Sequence, residues 1–434
     1  MGSNPKKEVS EQKAQDLKLF FLPKAALKPE ELDIPVSLAE DLMLRYLYTK
    51  GGASLNELSR ALKLSFPLLH SLFQRMRQMQ LFEVTGMEGN DYIFTLSGPG
   101  REQAAKRFLI SHYIGPAPVS ISAYNAAVRS QNTRPIIDRA MLKMAFSDLV
   151  LTDRFLDQLG PALISRKSIF VYGPTGNGKT SVVSRLSRLH QDTIVIPYAV
   201  EVDGQVIVLY DPAVHVRLDQ HIGDMDPRWV VCQRPCIIVG GELEPGMLEL
   251  QLEESTKVYA APFQMRANNG ILVIDDFGRQ IASPVYLLNR WIVPLDRRVD
   301  YLTLRYGLKF QIPFEMTVVF ATNLDPNDLA DEAFLRRIPN KILVDAVNDD
   351  VFDRILARLL SERNLSCEPE TTRFFRDLCL KIGGELRACQ PADILNTLLS
   401  ISEFEGSELQ IDQESLTRAA RLYFAKPKGV AEAL

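Results

Sequence analysis

The chain of 434 residues has no apolar run approaching the ~18 residues that span a bilayer, which excludes a membrane-crossing helix. It has five cysteines, Cys232, Cys236, Cys367, Cys379 and Cys389, an odd and sparse set that excludes a disulfide framework. It has no large excess of charge. Its 50 Lys and Arg meet 54 Asp and Glu, and a formal net charge of −4 excludes bulk attraction to a polyanion while leaving room for one basic face. It has no internal repeat and no low-complexity tract. No signal peptide is expected, because the apolar patch from Leu17 to Leu22 is interrupted by Lys18, stopped by Pro23 and followed by no small-residue cleavage site. The cytoplasm is the expected compartment. What remains is ordinary for a folded, soluble protein: 46% hydrophobic and 24% charged residues, in a length that suggests two or three domains.

Residues 1–34 are expected to form a flexible lead. Residues 35–112 carry a helical stripe (Leu38, Leu42, Leu44, Tyr46, Leu47) that Gly51-Gly52 ends. A second helix follows, with Ser54 and Glu57 spaced as a capping box, and then a third from about Ser65 to Met79. Two short β-type runs, Phe82–Thr85 and Tyr92–Leu96, flank the turn-rich Gly86–Asp91, and a further helix from about Arg101 to His112 closes the segment. This is the element order of a winged helix. Its third helix offers His70, Arg75 and Arg77 to a nucleic acid. Nine Lys/Arg against seven Asp/Glu over residues 35–112 is a weak footprint for phosphate, so duplex DNA and a docked protein both stand as partners.

Residues 113–345 hold the chemistry. After a linker with Gly115, Pro116 and Pro118, two helices are expected from about Ile136 to Phe146 and Thr152 to Ser165, and then the buried strand Ile169–Tyr172. Gly173-Pro174-Thr175-Gly176-Asn177-Gly178-Lys179-Thr180 fits the phosphate-binding pattern G-x-x-x-x-G-K-[ST], placed after a strand and before the helical run that starts at Ser181. Glycines let the backbone curl so that successive N–H groups point at phosphate. Lys179 reaches the β- and γ-phosphates, and the Thr180 hydroxyl serves Mg²⁺. A second strand, Ile271–Ile274, ends in two acids. Asp275 is placed to serve the metal, and Asp276 is placed to polarise an attacking water.

With these motifs the chain resembles the AAA+ ATPases over about residues 136–425, an α/β P-loop NTPase core with an all-α lid at 346–434. Val318–Asn323 resembles the sensor-1 strand with Asn323 at its tip. Ala333–Ile338 resembles the arginine-finger segment, in which Arg337, or its neighbour Arg336, acts on the adjacent subunit's ATP. Gly384–Ala388, opening a lid helix, resembles sensor 2, with Arg387 reaching the γ-phosphate. Lid helices are expected at Asp350–Arg363, Pro369–Ile382, Pro391–Ser402 and Gln413–Phe424. Asp276 stands where the family usually has Glu, and an acid one methylene shorter implies slower hydrolysis or a closer backbone.

Arg297–Pro313 alternates around Tyr306-Gly307 as a β-hairpin. It resembles the hairpin inserted before sensor 1 in the branch that includes MoxR-type chaperone ATPases, where it faces the ring pore or a partner. It reads equally as a hairpin that extends the core. A second hairpin, Thr193–Val200 with Gln205–Tyr210, is expected around Asp203-Gly204. His215, His221, Cys232 and Cys236 are a possible zinc set, although Cys-x3-Cys broken by Pro235 is not the usual knuckle.

The resemblance implies a Mg²⁺-dependent, ATP-binding and ATP-hydrolysing homo-oligomeric ring, most often a hexamer. Such a ring remodels a protein client, with the winged helix for regulation or docking. Asp276 and the winged helix together motivate the alternative, a nucleotide-gated DNA-binding regulator or scaffold with little hydrolysis.

Overall fold

The computed structural model describes residues 21–424, apart from residues 90, 134–136, 190, 191, 220, 221 and 330. The chain divides into two compact units. The first comprises Met1–Arg134, His190–Leu272 and Asn289–Thr317, and the second Pro135–Leu189, Val273–Leu288 and Val318–Leu434. No helix among the described residues is long and apolar enough to cross a membrane.

The first unit opens with the helix Val36–Lys50, which Gly51 ends at φ +84° with its N–H returned to Leu47 O. Two shorter helices follow, Leu55–Leu62 and Phe66–Gln78, capped by Ser54 and Ser65. Ser54 accepts from Glu57 N–H, as the capping-box spacing requires. The Glu57 carboxylate does not complete the box, because it accepts from the Tyr46 hydroxyl at 2.9 Å. The hairpin Phe82–Glu88 and Asp91–Leu96 then pairs with the short strand Ala53–Ser54, in an antiparallel sheet with Asp91–Leu96 at its centre. Helix Gly98–Ile110 follows, capped by Ser97. Leu42, Leu58, Leu68, Leu72, Phe73 and Phe94 are fully buried together. Each contributes about 1.5–3 kcal/mol by leaving water.

Residues 21–34 are not a loose lead. Asp33 pairs with Arg228 Nη1 at 2.7 Å, Ser65 Oγ donates to Ala26 O at 2.5 Å, and Phe21 packs on Trp229 with ring centroids 5.5 Å apart. Arg228 is itself buried, chelated by Asp226 and donating to Pro118 O. Removing either acid would leave a buried charge short of its partners, at a cost of about 3–5 kcal/mol.

The rest of the first unit is mostly β. Ala199–Val202 and Gln205–Val208 form a hairpin whose Asp203 and Gly204 sit at φ +50° and +76°, the left-handed pair of a type I′ turn. Val258–Ala260 joins Gln205–Val208 in parallel, and Val119–Ser120 joins Ala199–Val202 on the other side. The single strand expected from Thr193 to Val200 divides at Tyr198. Thr193–Pro197 pairs instead with Trp229–Gln233. The Tyr198 carbonyl accepts from both Leu209 and Tyr210, and its N–H goes to Arg228 O, so this residue is the corner between two sheets. On the outer edge of Thr193–Pro197, the buried Gln131 carboxamide accepts from Val195 N–H at 2.6 Å and donates to Val195 O at 3.1 Å. The hairpin Val299–Thr303 and Lys309–Pro313 is antiparallel as expected, with Leu302 and Ile312 fully buried in the same core as Val200, Ile207 and Trp229.

The second unit is α/β. Its central strand Ile169–Tyr172 is flanked in parallel by Thr317–Thr322 and Asn340–Leu343, and Ile271–Ile274 lies beyond Thr317–Thr322. Strands buried on both faces read as continuous apolar runs, and Ile271–Ile274 is buried at every position. Helices Arg139–Ala145 and Asp153–Ser165 precede the sheet. Ile136, the expected start of the first, lies outside the described residues. The C-terminal region is all helical: Asp349–Glu362, Pro369–Gly383, Gln390–Glu405 and Gln413–Tyr423 close on Phe352, Phe375, Leu395 and Leu416. The fold class is α/β with a parallel-sheet core and a helical C-terminal region.

Candidate functional site

Everything that positions the phosphate-loop motif belongs to the second unit. The Ile169–Tyr172 strand delivers the chain into Gly173, which sits at φ +139°, where a Cβ would lie 2.2 Å from Val344 O. Gly176 and Gly178 follow at φ +83° and +87°. Three glycines in conformations that side chains resist curl the loop so that it returns on itself. Lys179 starts the next helix with its side chain folded into that curl, and its ammonium donates to Gly173 O and Pro174 O, each at 2.8 Å. It is 8% exposed. Burial pushes its pKa below the ordinary lysine value, and Asp276 and Asp275 oppose that shift.

The helix after the loop is shorter than its apolar pattern implies. It spans Lys179–Val183 and gives way to a 3-10 turn at Leu186–Leu189. In a continuing α-helix Arg185 N–H would bond to Ser181 O. Here the Arg185 guanidinium takes Ser181 O at 2.8 Å, and Arg185 N–H bonds to Val182 O. Arg185 and Arg188 both grip Asp148, at 2.8 and 2.7 Å.

The acidic strand ends as expected in Asp275, half-buried, and Asp276, exposed and at φ +50°. Asp276 N–H bonds to Asp275 Oδ1. Phe277 N–H bonds to Ala321 O, and Thr322 Oγ1 donates to Phe277 O, both at 2.7 Å. These bonds fix the acidic turn to the end of the Thr317–Thr322 strand, from which Asn323 emerges. Asn323 Oδ1 is buried and has no hydrogen-bond partner among the described residues.

A cavity of about 510 Å³ opens beside the loop. Thr175 through Val182 line it, together with Asp276. Apolar lining comes from Leu149, Val150, Leu151, Ile355, Leu359 and Ala392, with Asp148, Arg358 and Glu362 among them. Sequence reasoning missed this apolar part of the lining. Its residues come from a loop and two distant helices that only the tertiary fold brings together, and none carries a motif. Asp275, Asn323, Arg336, Arg337 and Arg387 do not line the cavity. Arg336 is exposed and Arg337 half-buried, both just beyond the short helix Glu332–Leu335. Arg387 does not open a helix. The helix begins at Gln390, whose side chain accepts Arg387 N–H at 2.9 Å, and the Arg387 guanidinium pairs with Glu385 at 2.9 Å.

Among the described residues the zinc set does not assemble. His215 is buried with Nδ1 accepting from Asp211 N–H and Nε2 on Arg266 O, each at 2.9 Å, so both ring nitrogens are engaged within the chain. Burial pushes the Cys232 thiol up to about 12. His221 lies outside the described residues, and among the described residues no three His, Cys, Asp or Glu converge as metal ligands. The three candidate DNA contacts, His70, Arg75 and Arg77, are all exposed, and Arg75 also pairs with Glu40 at 3.2 Å.

One family model matches the chain, a domain of unknown function (DUF8689) over residues 348–422. No curated protein matches. Among solved structures, the chain is similar to a Thermotoga maritima RuvB Holliday junction branch migration motor, at 12% identity over 67% of this chain and 72% of that one, TM-score 0.34. It is also similar to the complex of magnesium chelatase subunits BchI and BchD, at 16% identity over 61% of this chain and 89% of that one, TM-score 0.29. A third is NtrX from Brucella abortus, at 10% identity over 58% of this chain and 49% of that one, TM-score 0.30.

Proposed function

We propose that the second unit binds ATP with Mg²⁺ and hydrolyses it, and that the chain works as an AAA+-type ATPase in a homo-oligomeric, most simply hexameric, cytoplasmic ring. The observation that carries this is Lys179. A lysine folded into a glycine-curled loop, in the field of two acids and beside a cavity of about 510 Å³, is an arrangement for holding a polyphosphate.

The donor chemistry fits the metal: the Thr180 hydroxyl at the cavity, and the carboxylate of Asp275, next in the chain to the cavity-lining Asp276, are the hard oxygens that Mg²⁺ takes. Bound there, Mg²⁺ would neutralise charge on the phosphate oxygens. Lys179 adds a fixed positive charge at the same place. Asp276 presents an exposed carboxylate at the cavity and is the group to accept a proton from water. Asn323 Oδ1, buried without a partner, has an acceptor to spare for orienting that water. Arg337, with Arg336 as the neighbouring candidate, acts on the next subunit's nucleotide, and Arg387 reaches phosphate by exchanging Glu385 for it. The N-terminal helices and hairpin, a winged helix by their order, dock a protein client or regulate the ring. Nine Lys/Arg against seven Asp/Glu over residues 35–112 is a weak footprint for phosphate, which favours a protein over duplex DNA.

Lys179→Ala should abolish ATP turnover, and full turnover in that variant would overturn the site. Mixing Lys179→Ala with Arg337→Ala, each inactive alone, should restore part of the activity if the finger acts across subunits.

A further inference from the structure

The segment that leads into the helix Gln390–Glu405 rests directly on the phosphate loop. Cys389 N–H donates to Gly176 O at 2.9 Å, and Ala388 N–H donates to Asn177 Oδ1 at 3.2 Å. Cys389 Sγ packs so closely on Gly176 that a Cβ there would lie 2.7 Å from it. Asn177 is only 6% exposed, and its Nδ2 has no partner among the described residues. A buried carboxamide with half its capacity unused is an expensive residue to keep unless the other half matters. The used half is the bond to Ala388. Cys389 is the N-cap of the Gln390–Glu405 helix, and its thiol lies 3.5 Å from the Tyr423 hydroxyl at the end of the last helix. A change in the curl of the loop therefore moves Gly176 O and Asn177 Oδ1 together, and with them the start of one C-terminal helix and the end of another.

We propose that Asn177 is a positioning residue that couples the conformation of the phosphate loop to the C-terminal helices through Ala388. The regulatory consequence rests on the nucleotide-binding reading above. The coupling bond itself does not.

The test is amide hydrogen exchange on the full-length protein, without nucleotide and with saturating Mg-ATP, comparing the unchanged chain with Asn177→Ala and Asn177→Asp. The aspartate keeps the acceptor and the volume, and exchanges the unpartnered nitrogen for a charged oxygen, so it is compared only without nucleotide. Without nucleotide, Asn177→Ala should speed exchange at Ala388 by about five- to tenfold, the loss of one hydrogen bond, and Asn177→Asp should leave it as it was. With Mg-ATP, the change in exchange across Gln390–Glu405 seen in the unchanged chain should shrink in Asn177→Ala. Equal exchange at Ala388 in Asn177→Ala and the unchanged chain would overturn the proposal. So would an equal loss in both variants, because the aspartate keeps both the acceptor and the volume, and the bond to Ala388 would then not be what slows exchange. If Asn177→Ala does not fold, Asn177→Ser, whose hydroxyl is too short to reach Ala388, takes its place with the same expectation. If the unchanged chain fails to bind Mg-ATP by calorimetry, the nucleotide reading falls, while the comparison at Ala388 still decides the coupling.

Discussion

The Tyr306 hydroxyl donates to Asp203 Oδ2 at 2.6 Å, which ties the tip of one hairpin to the tip of another. Arg305 adds an ion pair to Glu254, and its N–H donates to the Tyr259 hydroxyl at 3.1 Å. With Leu302 and Ile312 buried beneath, the hairpin is built into the first unit's core. Desolvation of its hydroxyl, then the bond to Asp203, pushes the Tyr306 phenol up to about 12, although the residue as a whole is exposed. Its ordinary value is 10.0, so the folded state holds this proton longer. The stabilisation is therefore fully present below about pH 10 and drains away as pH rises through about 12. A spectrophotometric titration should lose one late-titrating phenol in Tyr306→Phe, with at most about 1 kcal/mol of stability lost at neutral pH, since this side chain is partly solvated.

The loop glycines should separate by mechanism. Gly178→Ala meets nothing nearer than 4.0 Å and carries only the strain of φ +87°, about 1–2 kcal/mol. Gly173→Ala adds a Cβ 2.2 Å from the Val344 carbonyl, a backbone atom that cannot swing aside. Chemical denaturation should show the second variant losing clearly more stability than the first. Equal losses would mean that the sheet end yields.

Asp148 should appear as an acid-stability group. The bonds from Arg188 and Arg185 hold its pKa at about 2, below the ordinary 3.8. A lowered carboxylate pKa stabilises above the unfolded value, so its contribution is whole above about pH 4 and vanishes as pH falls through about 2. In Asp148→Asn, stability at neutral pH should drop, and the slope between about pH 4 and 2 should flatten by up to one proton.

Arg358 lines the cavity, donating to Ser147 O at 2.6 Å and to Glu362 at 2.8 Å. It fastens the Asp349–Glu362 helix to the segment before Leu149 at the rim of the proposed nucleotide site. Arg358→Ala should raise nucleotide association and dissociation rates together by about three- to tenfold, the scale of one exposed charged hydrogen bond. Stopped-flow with a fluorescent nucleotide measures both, and an increase in dissociation alone would make Arg358 a ligand contact instead.

What the sequence revealed and what it hid divide by the range of the interaction. The four C-terminal helices lie within a few residues of their expected bounds, because their apolar spacing is local. The Ile271–Ile274 strand and its two acids were legible for the same reason, as were the Val299–Pro313 hairpin and the loop glycines. The division of Thr193–Val200 at Tyr198 was not legible, because an alternating run does not say which neighbour it pairs with. The early end of the helix after Lys179 depends on Arg185 turning back to Ser181 and Asp148. The ordering of residues 21–34 depends on Arg228, 195 positions beyond Asp33. The apolar part of the cavity lining joins Leu149, Val150 and Leu151 to Ile355 and Leu359 from a helix some two hundred residues later.

Gln131 stands in for a strand inside the β-rich part of the first unit. Its side chain imitates a neighbouring strand for one residue, satisfying both backbone groups of Val195 on a strand that is buried along its whole length. Replacing it with leucine would keep the volume and leave a buried N–H and a buried C=O without partners, at a cost of about 1–3 kcal/mol each. Where no water can reach, one carboxamide does what a residue of neighbouring backbone would otherwise have to do.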